Sequence, residues 1–357
     1  MIIKKKQKEI GMNFLEEHNK KENRVAMQKE RRKNFIQSTY KLVRNVVVAG
    51  TLIGVGIYFF VMWYFQEMPA KQPYEFDQNR LAEIFSEVTR PRTYNEVNFR
   101  MSSEFALLVN ITNGRVLFEH RADESAFPAS VTTIMNVMLG LEYAELDDRI
   151  VINADFDELH RLGIVQSGFF AGETRSLSEI LHGIILATGA EAVWSLANHI
   201  SGSYVDFVEL MNEKARELGM VNTHFVTATG LHDDDHYTTA HDIAILLQYA
   251  LENPNFREIF TARTYELENP GYFGGVLNSA LFTNLPDATF LGGEILGGRT
   301  GATTPAGRCF ASLATDGIDE YILITFSAPD PNLENPSLAI MDALVIYEYF
   351  LRVPDEY

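Results

Sequence analysis

The stretch Phe105–Glu142, FALLVNITNGRVLFEHRADESAFPASVTTIMNVMLGLE, decides the fold. Two apolar runs, FALLVN and RVLFEH, flank Thr112-Asn113-Gly114. Asn-Gly between apolar runs is the strongest short-range hairpin signal. The spacing then changes from that of a strand to that of a helix, predicted from Ser130 to about Ala144. A hairpin followed at once by a long apolar helix starts a sheet with a helical layer on it.

Downstream, helices are predicted from Leu177 to about Leu186, from Glu191 to about His199, over SYVDFVELMNEKARELG with a stop at Gly219, and over HDIAILLQYAL. Three strand-like segments follow, ILGGRTGAT, RCFASLAT and EYILITFSA, and a last helix, SLAIMDALVIYEYFLR. Terminal strands returning to an early hairpin around a helical middle imply an antiparallel sheet flanked by helices, with an inserted helical cluster.

The chain has 357 residues and a formal net charge of −18, unevenly spread. Residues 1–44 hold 13 Lys/Arg and 5 Asp/Glu, a net of +8, so the remainder sums to −18 − 8 = −26. So acidic a domain repels nucleic acid, and no nucleic-acid partner is expected. The lone cysteine, Cys309, excludes an intrachain disulfide and reads as a buried, inert thiol in a strand.

Val46–Phe65 is a run of twenty uncharged residues, enough at about 1.5 Å per residue to cross a hydrocarbon core of roughly 30 Å. Trp63 and Tyr64 suit its outer interface, and the basic N-terminal side belongs in the cytoplasm. The expected organisation is a basic cytoplasmic tail (1–44), one transmembrane helix (45–65), a stalk (66–103) and an extracytoplasmic domain (104–357). The protein is thus expected at the cell membrane, single-pass.

Three stretches, LVNITNGRVLFEHRADESAFPASVTTIMNVMLGLE, ELGMVNTHFVTATGLHDDDHYTTAHDIAILLQYAL and GGRTGATTPAGRCFASLA, resemble the D-alanyl-D-alanine carboxypeptidases. These are low-molecular-mass penicillin-binding proteins of the peptidase S11 type, related to the serine β-lactamases. The resemblance covers roughly residues 104–350 and implies the serine β-lactamase/DD-peptidase-like α/β fold. It also implies a serine hydrolase acting on peptidoglycan stem peptides, with no cofactor.

Such enzymes use three motifs, S-x-x-K, S-x-N and K-T-G. Here the first reads Ser130-Val131-Thr132-Thr133: the nucleophile position is filled, and Thr133 replaces the general-base lysine. The second aligns with Thr188-Gly189-Ala190, which keeps a proton-relay hydroxyl at Thr188 and loses the substrate-holding amide at Ala190. The third is Arg299-Thr300-Gly301, where Arg299 keeps a cation able to pair a substrate carboxylate. By the same resemblance, the backbone N–H groups of Ser130 and Ala302 form an oxyanion hole.

A serine hydroxyl needs a base, and losing it costs roughly 10⁴–10⁶ in rate. Ser130 on its own reads more simply as a helix N-cap. His160, His182 and His232 are candidate replacement bases. The LHDDDH run (231–236) has no helix-face ligand spacing, so no metal is expected, and Gly274-Gly275 and Gly297-Gly298 read as turns or close sheet approaches.

The expected function is therefore a membrane-anchored, wall-facing carboxypeptidase-like protein, impaired or inactive in catalysis. Its partners are the peptidoglycan stem peptide or cell-envelope proteins, and the membrane through the N-terminal helix. Two other readings stay open: an active serine carboxypeptidase using Ser130 with a non-standard base, and a purely structural envelope protein.

Overall fold

In the computed structural model the hairpin forms as β2 (Phe105–Asn110) and β3 (Arg115–His120), preceded by a short strand β1 (Arg92–Thr93) that pairs parallel with β3. The structure describes residues 92–93, 99–329 and 338–351. The tail, the transmembrane segment and most of the stalk expected from sequence lie outside these. No helix among the described residues is long and apolar enough to cross a membrane. Asn110 Oδ1 accepts the N–H groups of Thr112 and Asn113, and Gly114 takes φ 74°, which closes the turn.

A 3-10 turn (Ala129–Thr132) leads into α1 (Thr133–Tyr143), where the sequence suggested one continuous helix. Beyond lie β4 (Arg149–Val151), α2 (Phe156–Leu162), β5 (Thr174–Ser176), α3 (Leu177–Ala187), α4 (Ala190–Ser201), α5 (Tyr204–Glu217), α6 (Ala240–Leu251) and α7 (Pro254–Thr261). The hairpin β6 (Thr264–Gly271) and β7 (Gly274–Asn278) precedes α8 (Ala280–Asn284) and β8 (Thr289–Phe290). The chain ends in β9 (Gly293–Thr303), β10 (Gly307–Thr315), β11 (Glu320–Ala328) and α9 (Leu338–Leu351).

Local chemistry sets the helix ends. Ser176 and Glu179 form a capping box on α3, Thr239 caps α6, and Asn253 with Pro254 at the first turn starts α7. The helix α5 stops where Gly219 takes φ 79°.

The main sheet has the order β1-β3-β2-β11-β10-β9-β8, antiparallel except for the β1–β3 pair. Residues of β2 are buried on both faces, as a central strand between two helical layers requires. Ala106 and Leu108 join the cluster with Ile340, Ala343 and Tyr347 of α9. The strands β11 and β2 also carry α6, and α1, which follows the turn of Ser130, packs on α6. The Asp342 carboxylate of α9 accepts the backbone N–H groups of Ser102 and Ser103 (2.7–3.0 Å), pinning the entry to β2.

The two glycine pairs behave as close approaches and a turn. A Cβ on Gly297 would lie 2.4 Å from the Phe260 carbonyl oxygen, and one on Gly298 2.6 Å from the Phe310 ring. Gly274, with φ 107°, turns the β6–β7 hairpin.

Candidate active site

Ser130 sits in the 3-10 turn, half-buried, at the junction of the sheet and the helical layer. Two glycines fix it there. Gly230, at φ +77°, lies so close that a Cβ would be 1.9 Å from the Ala129 carbonyl oxygen. A Cβ on Gly301 would be 2.8 Å from the Ser130 nitrogen. Ala129 itself takes φ 47°, a strained value for alanine that the packing above it holds in place.

Ser130 is not the helix cap that its position suggested. Neither the 3-10 turn nor α1 has a side-chain cap, and among the described residues no hydrogen bond occupies the Ser130 hydroxyl. The carbonyl of Ser130 is the group in demand. It accepts from Thr133 Oγ1 at 2.8 Å and from Arg299 Nε at 3.1 Å.

Arg299 draws the three motif positions together. Its Nε also donates to Thr133 Oγ1 at 2.8 Å, and its Nη1 donates to the Ile185 carbonyl (3.0 Å) and Thr188 Oγ1 (2.9 Å). Thr188 ends α3 in the left-handed region, φ 61°, which a β-branched residue rarely adopts. Arg299 is 1% exposed, no carboxylate among the described residues pairs with it, and its Nη2 has no partner. Burial alone pulls its pKa down to about 9.

The sequence suggested that Arg299 docks a substrate carboxylate; in this structure its Nε and Nη1 are bound to protein oxygens. The guanidinium is buried among these protein oxygens. Thr133 Oγ1 and the Ser130 carbonyl both accept from Arg299 Nε, so the guanidinium lies against the first motif. Ala190, 2% exposed, begins α4 and leaves no polar group at the position of the lost amide. Thr300 and Ala302 are half-buried on β9, next to the Gly301 contact with Ser130.

Among the described residues no side chain is hydrogen-bonded to the Ser130 hydroxyl. The Thr133 hydroxyl donates its own proton to the Ser130 carbonyl, and a protonated guanidinium has no lone pair. His182 bonds the Ser178 carbonyl through Nδ1 and stacks on Tyr265 at 3.8 Å. His232 packs edge-on to Phe127, and His160 lies on α2. None of the three bonds Ser130.

Sequence reasoning passed over His236. Its Nδ1 accepts the Val226 N–H at 2.9 Å, so Nε2 carries the proton and donates to Thr132 Oγ1 at 2.9 Å, bracing the turn from behind. Burial pushes its pKa down to about 4. The only hint in the sequence was its place in the LHDDDH run. No metal-binding group forms there or elsewhere among the described residues. Cys309 is 1% exposed, and burial pushes its thiol up to about 12.

The D-alanyl-D-alanine carboxypeptidase family model (peptidase S11) matches residues 91–330. D-alanyl-D-alanine carboxypeptidase DacF of Bacillus subtilis is 30% identical over 250 residues, covering 68% of this chain and 62% of that protein. DacA of Escherichia coli is 29% identical over 231 residues, 61% of this chain and 54% of that one. The chain thus spans less than two thirds of the length of these relatives.

A Streptomyces DD-transpeptidase superposes with a TM-score of 0.63 at 22% identity, over 71% of this chain and 98% of the other. A D-alanyl-D-alanine carboxypeptidase of Mycobacterium tuberculosis gives 0.58 at 22% identity, over 68% and 91%. These likenesses establish the DD-peptidase-like fold. With the family match over two thirds of its length, the chain belongs to the D-alanyl-D-alanine carboxypeptidase family.

Proposed function

We propose that this protein binds peptidoglycan stem peptides without turning them over, as a catalytically impaired member of its family tethered to the membrane and facing the wall. One observation carries this reading. The Arg299 guanidinium fills the volume between Ser130, Thr133, Ile185 and Thr188, so the place of a proton acceptor is taken by a fixed cation.

The parts that would hold a peptide remain in this reading. The outer edge of β9 beyond Glu294, the last residue paired with β8, runs past Ser130. Thr300, Gly301 and Ala302 line it, and the Ser130 and Ala302 N–H groups form the oxyanion site. Beneath them Arg299 supplies a positive potential that favours a peptide ending in a carboxylate, without touching it. Membrane attachment rests on the uncharged Val46–Phe65 run and the basic residues before it.

The test uses the full-length protein with a fluorescent penicillin and, separately, a D-Ala-D-Ala pentapeptide. The expected result is no adduct at Ser130, no released D-alanine and retention of intact pentapeptide. Rapid acylation with turnover would overturn the reading in favour of an active enzyme with a non-standard base, which the uncommitted, half-buried Ser130 hydroxyl favours. A domain that neither acylates nor holds the peptide would be a structural envelope protein.

A further inference from the structure

Beside the Thr188–Ala190 lip of the site lies a cluster of exposed aromatic rings. Phe170 is 47% exposed, Tyr272 74% and Phe273 70%. Phe170 and Tyr272 have centroids 6.3 Å apart at 69°, and Tyr272 and Phe273 5.2 Å apart at 89°. Scattered apolar residues are normal on a surface, whereas a contiguous aromatic patch marks a contact site.

The cluster is held rigidly and joined to the site. The Tyr272 N–H donates to the Gly168 carbonyl at 2.6 Å. The Phe273 ring packs against Gly168, where φ is +94° and a Cβ would be 2.6 Å from the ring. The loop that carries Phe170 is clamped to the start of α4. Glu191 Oε1 accepts from Ser167 Oγ and from the N–H groups of Gly168 and Phe169, and the Ala190 N–H donates to the Val165 carbonyl. The loop that carries Phe170 is thereby tied to the start of the helix that Ala190 opens.

Charge selects the class of occupant. The ion pairs at the base of the hairpin are closed on themselves, Arg149 with Glu268 and Arg175 with Glu173, each at 2.9 Å. With the acidic balance of the chain beyond residue 44, these described pairs offer no free cation to an anionic lipid surface. Rings set at steep angles present separate faces in place of one flat apolar sheet. That suits a chain of uncharged pyranose rings, whose C–H faces stack singly on aromatic faces.

We propose that Phe170, Tyr272 and Phe273 form a platform for the N-acetylated glycan strand to which stem peptides are attached. This extends the stem-peptide reading of the groove and rests on it. The full-length protein in detergent is passed over chitin resin and eluted with an N-acetylglucosamine tetramer. Retention is expected for the native chain, and an apparent affinity at least about tenfold weaker for Tyr272→Ser with Phe273→Ser at an unchanged thermal midpoint. Tyr272→Ser alone, at the most exposed ring, serves if the double variant unfolds. In hydrogen exchange, the tetramer should slow the amides of 269–275.

Equal retention of the variants, or no retention of the native chain, overturns the proposal. So does slowing of 269–275 on transfer to a lipid nanodisc without sugar, which would make the cluster a membrane contact. Pentapeptide binding is measured alongside, with and without Thr300→Val. Sugar binding without peptide binding upholds the platform and removes the groove reading; peptide binding without sugar binding does the reverse.

Discussion

If Arg299 occupies the volume of a missing base, restoring the base alone should not restore chemistry. Thr133 Oγ1 lies 2.8 Å from Arg299 Nε, so a lysine at 133 must push its last atoms into the guanidinium. Two cations about 4 Å apart at an effective dielectric constant of about 20 repel by about 4 kcal/mol. Thr133→Lys alone should therefore lower stability by about that amount and, with its amine crowded by the longer guanidinium, leave Ser130 unacylated.

Shortening the partner as well, in Thr133→Lys with Arg299→Lys and Ala190→Asn, frees the volume and returns the substrate amide. About 4 kcal/mol of repulsion corresponds to about 3 pKa units at 1.36 kcal/mol per unit. That brings a lysine from about 10.4 to about 7.4, partly neutral at neutral pH and able to accept the Ser130 proton. The gain in second-order acylation rate should be about 10⁴-fold or more, the usual effect of a base in a serine site. Stopped-flow fluorescence with a labelled penicillin measures it, and chemical denaturation measures the stability cost. Equal acylation by the native chain and the triple variant, or full activity from Thr133→Lys alone, would refute the reasoning.

Two further outcomes are expected. Gly230→Ala forces a Cβ to within 1.9 Å of a backbone oxygen at φ +77°, and should cost about 3 kcal/mol in denaturant unfolding, because neither partner is a flexible side chain. The second concerns pH. His236 titrates near 4 when folded and near 6.5 when unfolded, so the unfolded chain binds more protons between these values. Stability from this group is full above about 6.5 and falls toward pH 4, by about 3 kcal/mol at 1.36 kcal/mol per unit. Burial raises the pKa of Glu191, whose contribution runs the opposite way, so the comparison is native against His236→Gln at pH 7 and 4.5. An identical pH profile for both would exclude the role given to His236.

Much of the fold was legible from local pattern. The Asn113-Gly114 turn, the apolar strands on either side of it and the capped helices that follow all carry their signals within a few residues. The β6–β7 hairpin was overlooked although TYELE alternates and GYFGG supplies a turn, because its polar, half-exposed strands resemble a loop in composition. The short α2 and α8, of 7 and 5 residues, hold too few turns to show a period.

The candidate site divides in the same way. The sequence determined which groups are present: Ser130, Thr133, Thr188, Ala190 and the Arg299-Thr300-Gly301 strand, and with them the absence of the usual lysine and amide. Only the tertiary structure decided what Arg299 does. Its letter says that a cation survived at the third motif. Its contacts, with groups 111 to 169 residues away in the chain, show that the cation points inward and ties the first two motifs to the third. Local sequence cannot specify that direction, because the groups that bind the guanidinium lie on other elements far away in the chain.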